Sequence, residues 1–125
     1  MKILIVEDNP DMRDLLALRV QLTGYIPILA SHGKEGVEKA NAEKPDLILM
    51  DMMMPVMDGW EAAKTLRAFR ETKDIPILAT TAVFRSEDLK ACLEAGCNGY
   101  LVKPFNGVDL QRKIREMLET KEVPA

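Results

Sequence analysis

Five short apolar runs recur along the chain, and none of them alternates with polar residues. They are residues 3–6 (ILIV), 25–29 (YIPIL), 47–50 (LILM), 75–79 (IPILA) and 100–102 (YLV). A strand with one solvated face alternates; a strand covered on both faces reads as a continuous Ile, Leu and Val run. Between the runs lie amphipathic segments. Leu15, Leu16, Arg19, Val20 and Leu22 mark the first, and Val37 and Ala40 the second. Ala62, Leu66 and Phe69 mark the third, and Leu89, Cys92 and Leu93 the fourth. Leu110, Ile114, Met117 and Leu118 mark the fifth. Strict strand–helix alternation implies an α/β fold, with a parallel sheet and helices on both of its faces.

Right-handed crossovers leave few ways to arrange five such strands. The expected order is 2-1-3-4-5, the doubly wound, flavodoxin-like arrangement with five helices. Pro27 agrees, since proline lacks a ladder donor and this order puts strand 2 at an edge. Helix starts are expected at Asn9-Pro10, Asp58, Ser86 and Asn106, and stops at Gly24 and Gly96. The 125 residues are the size of one domain. Residues 1–120 are expected to form it, with 121–125 as a frayed tail. Cys92 and Cys97 are read as free thiols in a reducing compartment. The N-terminus is too acidic for a signal peptide, and no run is long enough to span a bilayer. A cytoplasmic location with no membrane partner follows as an expectation. A net charge of −3 likewise sets the expectation of no direct nucleic-acid binding.

Ligands of open α/β sheets bind outside the carboxyl ends of the strands, where the strand order reverses. Here that point lies between strands 1 and 3. Strand 1 ends in Glu7 and Asp8, strand 3 in Asp51, strand 4 in Thr80 and Thr81, and strand 5 in Lys103. Two carboxylates about 4 Å apart repel by roughly 4 kcal/mol at an effective dielectric near 20. One lysine cannot neutralise three acids. Hard oxygen ligands beside an open cleft suit Mg²⁺. A metal, a lysine and a threonine around one aspartate suit phosphoryl transfer, with the aspartate as nucleophile.

These residues, with ILIVEDNP, DMMMPVMDG, IPILATTA and GYLVKPF, make the chain resemble the receiver domain of two-component response regulators. It resembles most the single-domain type related to chemotaxis regulators. The likeness covers essentially the whole chain. It implies that Asp51 is the phospho-acceptor and that Asp51 and Asp8 ligate Mg²⁺, with Glu7 as a second acid acting through water. It implies the backbone carbonyl of Met53 as a third protein ligand. Thr81 would be the switch hydroxyl and Lys103 the phosphoryl-binding lysine, on a cis Lys103–Pro104 bond. Tyr100 would be the aromatic that changes exposure. Met53 and Val83 would flank the approach of water and lengthen the life of the phosphoryl group.

The resemblance also implies partners. A sensor histidine kinase or phosphotransfer protein would supply the phosphoryl group. A downstream protein would read the face of helix 4, strand 5 and helix 5. The expected state is a monomer or weak dimer, either stand-alone or part of a longer regulator. The chain is not expected to be a turnover enzyme, although it would promote its own phosphorylation and dephosphorylation. A haloacid-dehalogenase-type hydrolase needs a second aspartate two residues after the nucleophile, where this chain has Met53. A flavin carrier needs a hydroxyl- and glycine-rich phosphate loop, where this chain has EDNPD. His32 is read as a solvated loop residue.

Overall fold

The computed structural model describes residues 1–52, 58–82 and 86–122, and for Ser86, Asp88, Leu89 and residues 120–122 the backbone alone. Strands and helices alternate: β1 (Lys2–Val6), α1 (Pro10–Leu22), β2 (Ile26–Ala30), α2 (Gly33–Glu43), β3 (Leu47–Asp51), α3 (Gly59–Ala68), β4 (Ile77–Thr81), α4 (Ser86–Glu94), β5 (Gly99–Val102) and α5 (Gly107–Glu122). The sheet runs β2-β1-β3-β4-β5 with every neighbouring pair parallel. This is the expected doubly wound order, with Pro27 on the edge strand β2.

The unbroken apolar runs have a direct cause. Successive side chains of a strand point to opposite faces, and both faces are covered. Leu4, Val6, Ile48, Met50, Ile77 and Ala79 pack with Ala40 of α2, with Ala62, Ala63 and Leu66 of α3, and with Cys92 of α4. Ile3, Ile5, Leu47, Leu49 and Leu78 pack on the other side with Leu16 and Val20 of α1 and with Leu110, Ile114 and Leu118 of α5.

The helix ends follow local chemistry. Asn9 and Asp58 accept hydrogen bonds from the N–H groups of Met12 and Glu61, capping α1 and α3. Asn106 Oδ1 accepts from Asp109 N–H at the start of α5. Gly24 and Gly96 take positive φ after α1 and α4, a conformation that favours glycine.

Three expectations change. β4 starts at Ile77 and runs through Thr81, so both threonines lie inside the strand, as their β-branching favours. The apolar stripe of α1 is narrower than its composition implies. Leu16 and Val20, one turn apart, are the residues it buries, whereas Leu15, Leu18 and Leu22 are exposed. Phe69 and Leu93 also face outward. His32, read as a loop residue, instead caps α2: its Nδ1 accepts from Glu35 N–H at 3.1 Å.

Arg67 closes the end of the domain opposite the carboxyl ends of the strands. Its guanidinium donates to the carbonyls of Gly96 (2.9 Å), Lys73 (2.9 Å) and Ile75 (2.7 Å), and to Asn98 Oδ1 (2.6 Å). That Asn98 oxygen also accepts from Ile77 N–H at 2.9 Å, so the Arg67 side chain ties α3 to the turns that lead into β4 and β5.

Candidate functional site

Parallel pairing brings the predicted polar residues to one edge. β1 and β3 pair through Val6 and Met50, so the residues that follow them emerge side by side. Glu7 N–H donates to Ala30 O at 3.1 Å, which fixes the chain just past β1. Asp51 is in register with Thr80, and Met52 N–H donates to Thr80 O at 3.0 Å. Lys103 N–H donates to Thr81 O at 2.7 Å, and a cis Lys103–Pro104 bond follows. Gly59 opens α3 directly against β3. A Cβ there would stand 2.5 Å from Met52 Cα, which leaves glycine as the residue that fits.

Glu7, Asp8 and Asp51 each offer a carboxylate oxygen, and these oxygens lie within 4.8 Å of one another. Lys103 Nζ stands 3.2 Å from Glu7 Oε1 and 3.5 Å from Asp51 Oδ1. Glu7 and Asp51 are buried, at 2% and 4% exposure, while Asp8 opens to solvent. Burial pushes the Glu7 carboxyl up to about 7; the Asn9 N–H opposes this, and contacts with Asp51 and Asp8 reinforce it. One ammonium, Lys103, is shared between Glu7 and Asp51, and a single cation does not balance three acids.

The donor set therefore fits a divalent cation. Three hard oxygens converge at an open strand edge, and burial, reinforced by the neighbouring acids, makes Glu7 hold its proton more tightly than usual. These acids are the residues that would hold it.

The other predicted residues are placed as follows. Thr81 is buried at the end of β4. Tyr100 is 39% exposed on β5. Ala79 and Thr81 pair with Tyr100 and Val102, so Thr81 and Tyr100 are diagonal neighbours on one face of the sheet. The Met53 carbonyl and Val83 lie outside the described residues. Two positioning residues were not anticipated. Asn9 N–H donates to Glu7 Oε2 at 3.2 Å, and Arg13 Nη1 donates to Glu7 O at 3.0 Å. Asn9 carried a cap signal; an arginine on the first turn of a helix carries none.

A doubly wound sheet that gathers three acids and one lysine at its switch point defines a receiver-type acidic pocket. The chain belongs to the response regulator receiver domain family, which matches residues 3–115. It is similar to chemotaxis protein CheY4 of Vibrio cholerae, with a TM-score of 0.88 and 34% identity over 93% of this chain and 97% of that one. The receiver domain of sensor histidine kinase PA1611 from Pseudomonas aeruginosa, solved with a magnesium ion coordinated in its active-site cleft, aligns with a TM-score of 0.88. It is 37% identical over 94% of this chain and 97% of that one. Among curated relatives, the DNA-binding dual master transcriptional regulator RpaA of Synechocystis is 34% identical over 98% of this chain and 52% of its own length. The chain spans about half the length of the curated transcriptional regulators it matches.

That last likeness corrects the partner expectation. A net charge of −3 led to a reading with no direct nucleic-acid binding and output through protein contact, yet RpaA is DNA-binding by name. Charge summed over one domain describes that domain's surface, and a protein twice as long has surface beyond it. Among the described residues no helix is long and apolar enough to cross a membrane.

Proposed function

We propose that the chain is a signalling receiver whose Asp51 takes a phosphoryl group from a phosphohistidine of a sensor kinase or phosphotransfer protein. The observation that carries this reading is the Asp51 carboxylate, buried at the tip of β3 with Lys103 Nζ at 3.5 Å and two further acids beside it. In the transfer the donor's P–N bond breaks and an O–P bond forms to Asp51. The product is an aspartyl phosphate, and the electron pair leaves with the imidazole. Burial and the short strand hold the Asp51 oxygen in place, which lowers the entropic cost of attack. Lys103 sets a positive charge beside the incoming oxygens. Thr81 offers a hydroxyl donor from β4. Glu7, Asp8 and Asp51, with the Met53 carbonyl, would hold Mg²⁺, which would supply the charge that lets an anion approach three carboxylates.

The phosphorylated state is read through Thr81 and Tyr100. A phosphoryl oxygen that draws the Thr81 hydroxyl inward frees space for Tyr100 on the same sheet face, and a partner that prefers one arrangement shifts the population. RpaA's name favours transcription as one destination of that signal. The setting is cytoplasmic, and the chain acts as a signalling domain without turnover of an external substrate. Acetyl phosphate with Mg²⁺ tests the acceptor. Wild-type protein should be labelled and Asp51→Asn should not; full labelling of the variant overturns the assignment.

A further inference from the structure

A second concavity, about 390 Å³, lies between α1 and the segment that joins β5 to α5. Met12, Leu15 and Leu16 line one wall, and Pro104 and Phe105 line the other. Arg19 lines it as well, together with Lys103. We propose that this cavity binds a small amphiphilic anion: a carboxylate or phosphate monoester carrying an alkyl or aryl tail.

Three observations carry the inference. The first is the lining, which is mostly hydrocarbon, in a volume within the ~300–1,000 Å³ typical of small-molecule sites. The second is Arg19. Among the described residues its guanidinium makes no ion pair and no side-chain hydrogen bond. No acidic side chain among the described residues lines the cavity beside it. The third is Gly107. A Cβ at that position would overlap the Arg19 guanidinium, so the start of α5 leaves room for it. The α5 N-terminus there adds positive potential of its own; Asn106 is a neutral cap, and Asp109 in the first turn is paired with Arg112 at 2.6 Å.

Among the described residues, this guanidinium over an apolar cavity and beside a helix N-terminus has no negative partner. A carboxylate or phosphate would complete it with charge-assisted hydrogen bonds, and the tail would cover Leu15 and Phe105. Lys103 and Pro104 form part of the wall, so a bound ligand sits behind the lysine of the acidic pocket. That coupling rests on the proposed function; binding itself does not.

The test is a titration of the wild-type protein in EDTA, without phosphorylation. Octanoate and octyl phosphate are compared with octanol and octylammonium, all below micelle-forming concentration, by amide NMR shifts. Saturable shifts centred on Leu16 and Phe105 are expected for both anions. The anions should bind at least about tenfold more tightly than octylammonium, and the tighter anion identifies the headgroup. Arg19→Gln should erase the preference while leaving the remaining spectrum and the melting temperature unchanged. Leu15→Trp, at an exposed position, should fill the cavity and weaken all four probes. Four results overturn the proposal: shifts that do not saturate, shifts centred elsewhere, equal binding of the cationic probe, or an Arg19→Gln protein that keeps its preference. Self-association through this face that octanoate does not displace also overturns it, because the occupant is then a second copy. Failure of Asp51 labelling leaves the result untouched, since no phosphoryl group is involved.

Discussion

The two ends of the sheet each gather charged groups that are at least partly buried or stand against buried ones, and they treat them in opposite ways. At one end Arg67 donates to three backbone carbonyls and to the Asn98 side chain at 2.6–2.9 Å, all of them neutral. Its hydrogen bonds are made within the chain, and nothing from outside is needed. At the other end Glu7, Asp8 and Asp51 crowd within 4.8 Å, with Lys103 shared between Glu7 and Asp51. That cluster is incomplete without added positive charge. A charge fully partnered within the chain is architecture; one left in surplus marks a place where the molecule expects a ligand.

The comparison breaks first at Asp51. Asp51→Asn should lose all acetyl-phosphate labelling while it remains folded, because the amide keeps the shape and removes the nucleophile. Intact mass spectrometry after incubation measures this. Residual labelling elsewhere in the cluster would mean that the acids are interchangeable.

The opposite end should behave in the reverse manner. Arg67→Met leaves several carbonyls and Asn98 Oδ1 without their donor, and should cost about 2–4 kcal/mol. Urea unfolding should show the same loss with and without Mg²⁺. A loss that Mg²⁺ reverses would show that the two ends are energetically linked.

A smaller effect separates surplus charge from packing. Asp8 is exposed, so Asp8→Asn removes repulsion without opening a cavity. Its melting temperature in EDTA should rise by a few degrees, and the further rise that Mg²⁺ gives the wild type should disappear. A lower melting temperature in EDTA would mean that the carboxylates do not repel as their spacing implies.

The two ends also differ in how far the sequence discloses them. Asp51 stands out because it ends an unbroken apolar run, and such a run belongs to a strand buried on both faces. Once the strand order follows from alternation, the switch point names Glu7, Asp8 and Lys103 too. Which of two adjacent acids turns inward is not written there; Glu7 is buried and Asp8 is not. Arg67 gives no signal at all. Its partners are mostly backbone carbonyls, which every residue has, so an arginine on the polar side of α3 looks like any solvated one. The same blindness hid the His32 cap, where an imidazole nitrogen does the work usually given to a hydroxyl or carboxylate. It also hid Leu15, Leu18 and Leu22, because periodicity counts apolar residues without saying which of them the core has room for.

The smallest expected effect is a pH slope, and it sharpens the comparison most. The Glu7 carboxyl rises from 4.5 in the free residue to about 7 in the fold. Between those values the folded chain holds a proton that the unfolded chain releases. In EDTA this contribution to stability is fully present below about pH 4.5 and is lost as pH rises through about 7. One proton gives a slope of at most about 1.4 kcal/mol per pH unit. The Lys103 ammonium, 3.2 Å from Glu7, should hold the observed slope below that limit. Glu7→Gln should flatten the slope and leave the Arg67 end unaffected, since its acceptors do not titrate. Mg²⁺ competes for the same oxygens, so its affinity should fall as pH drops below about 7, and its binding near that pH should release a proton. Urea unfolding from about pH 5 to about pH 8 measures the slope, and calorimetry in two buffers of different ionisation heat counts the proton. Equal slopes for wild type and Glu7→Gln would place the proton on another group, and the acid cluster would then be balanced by something other than Glu7.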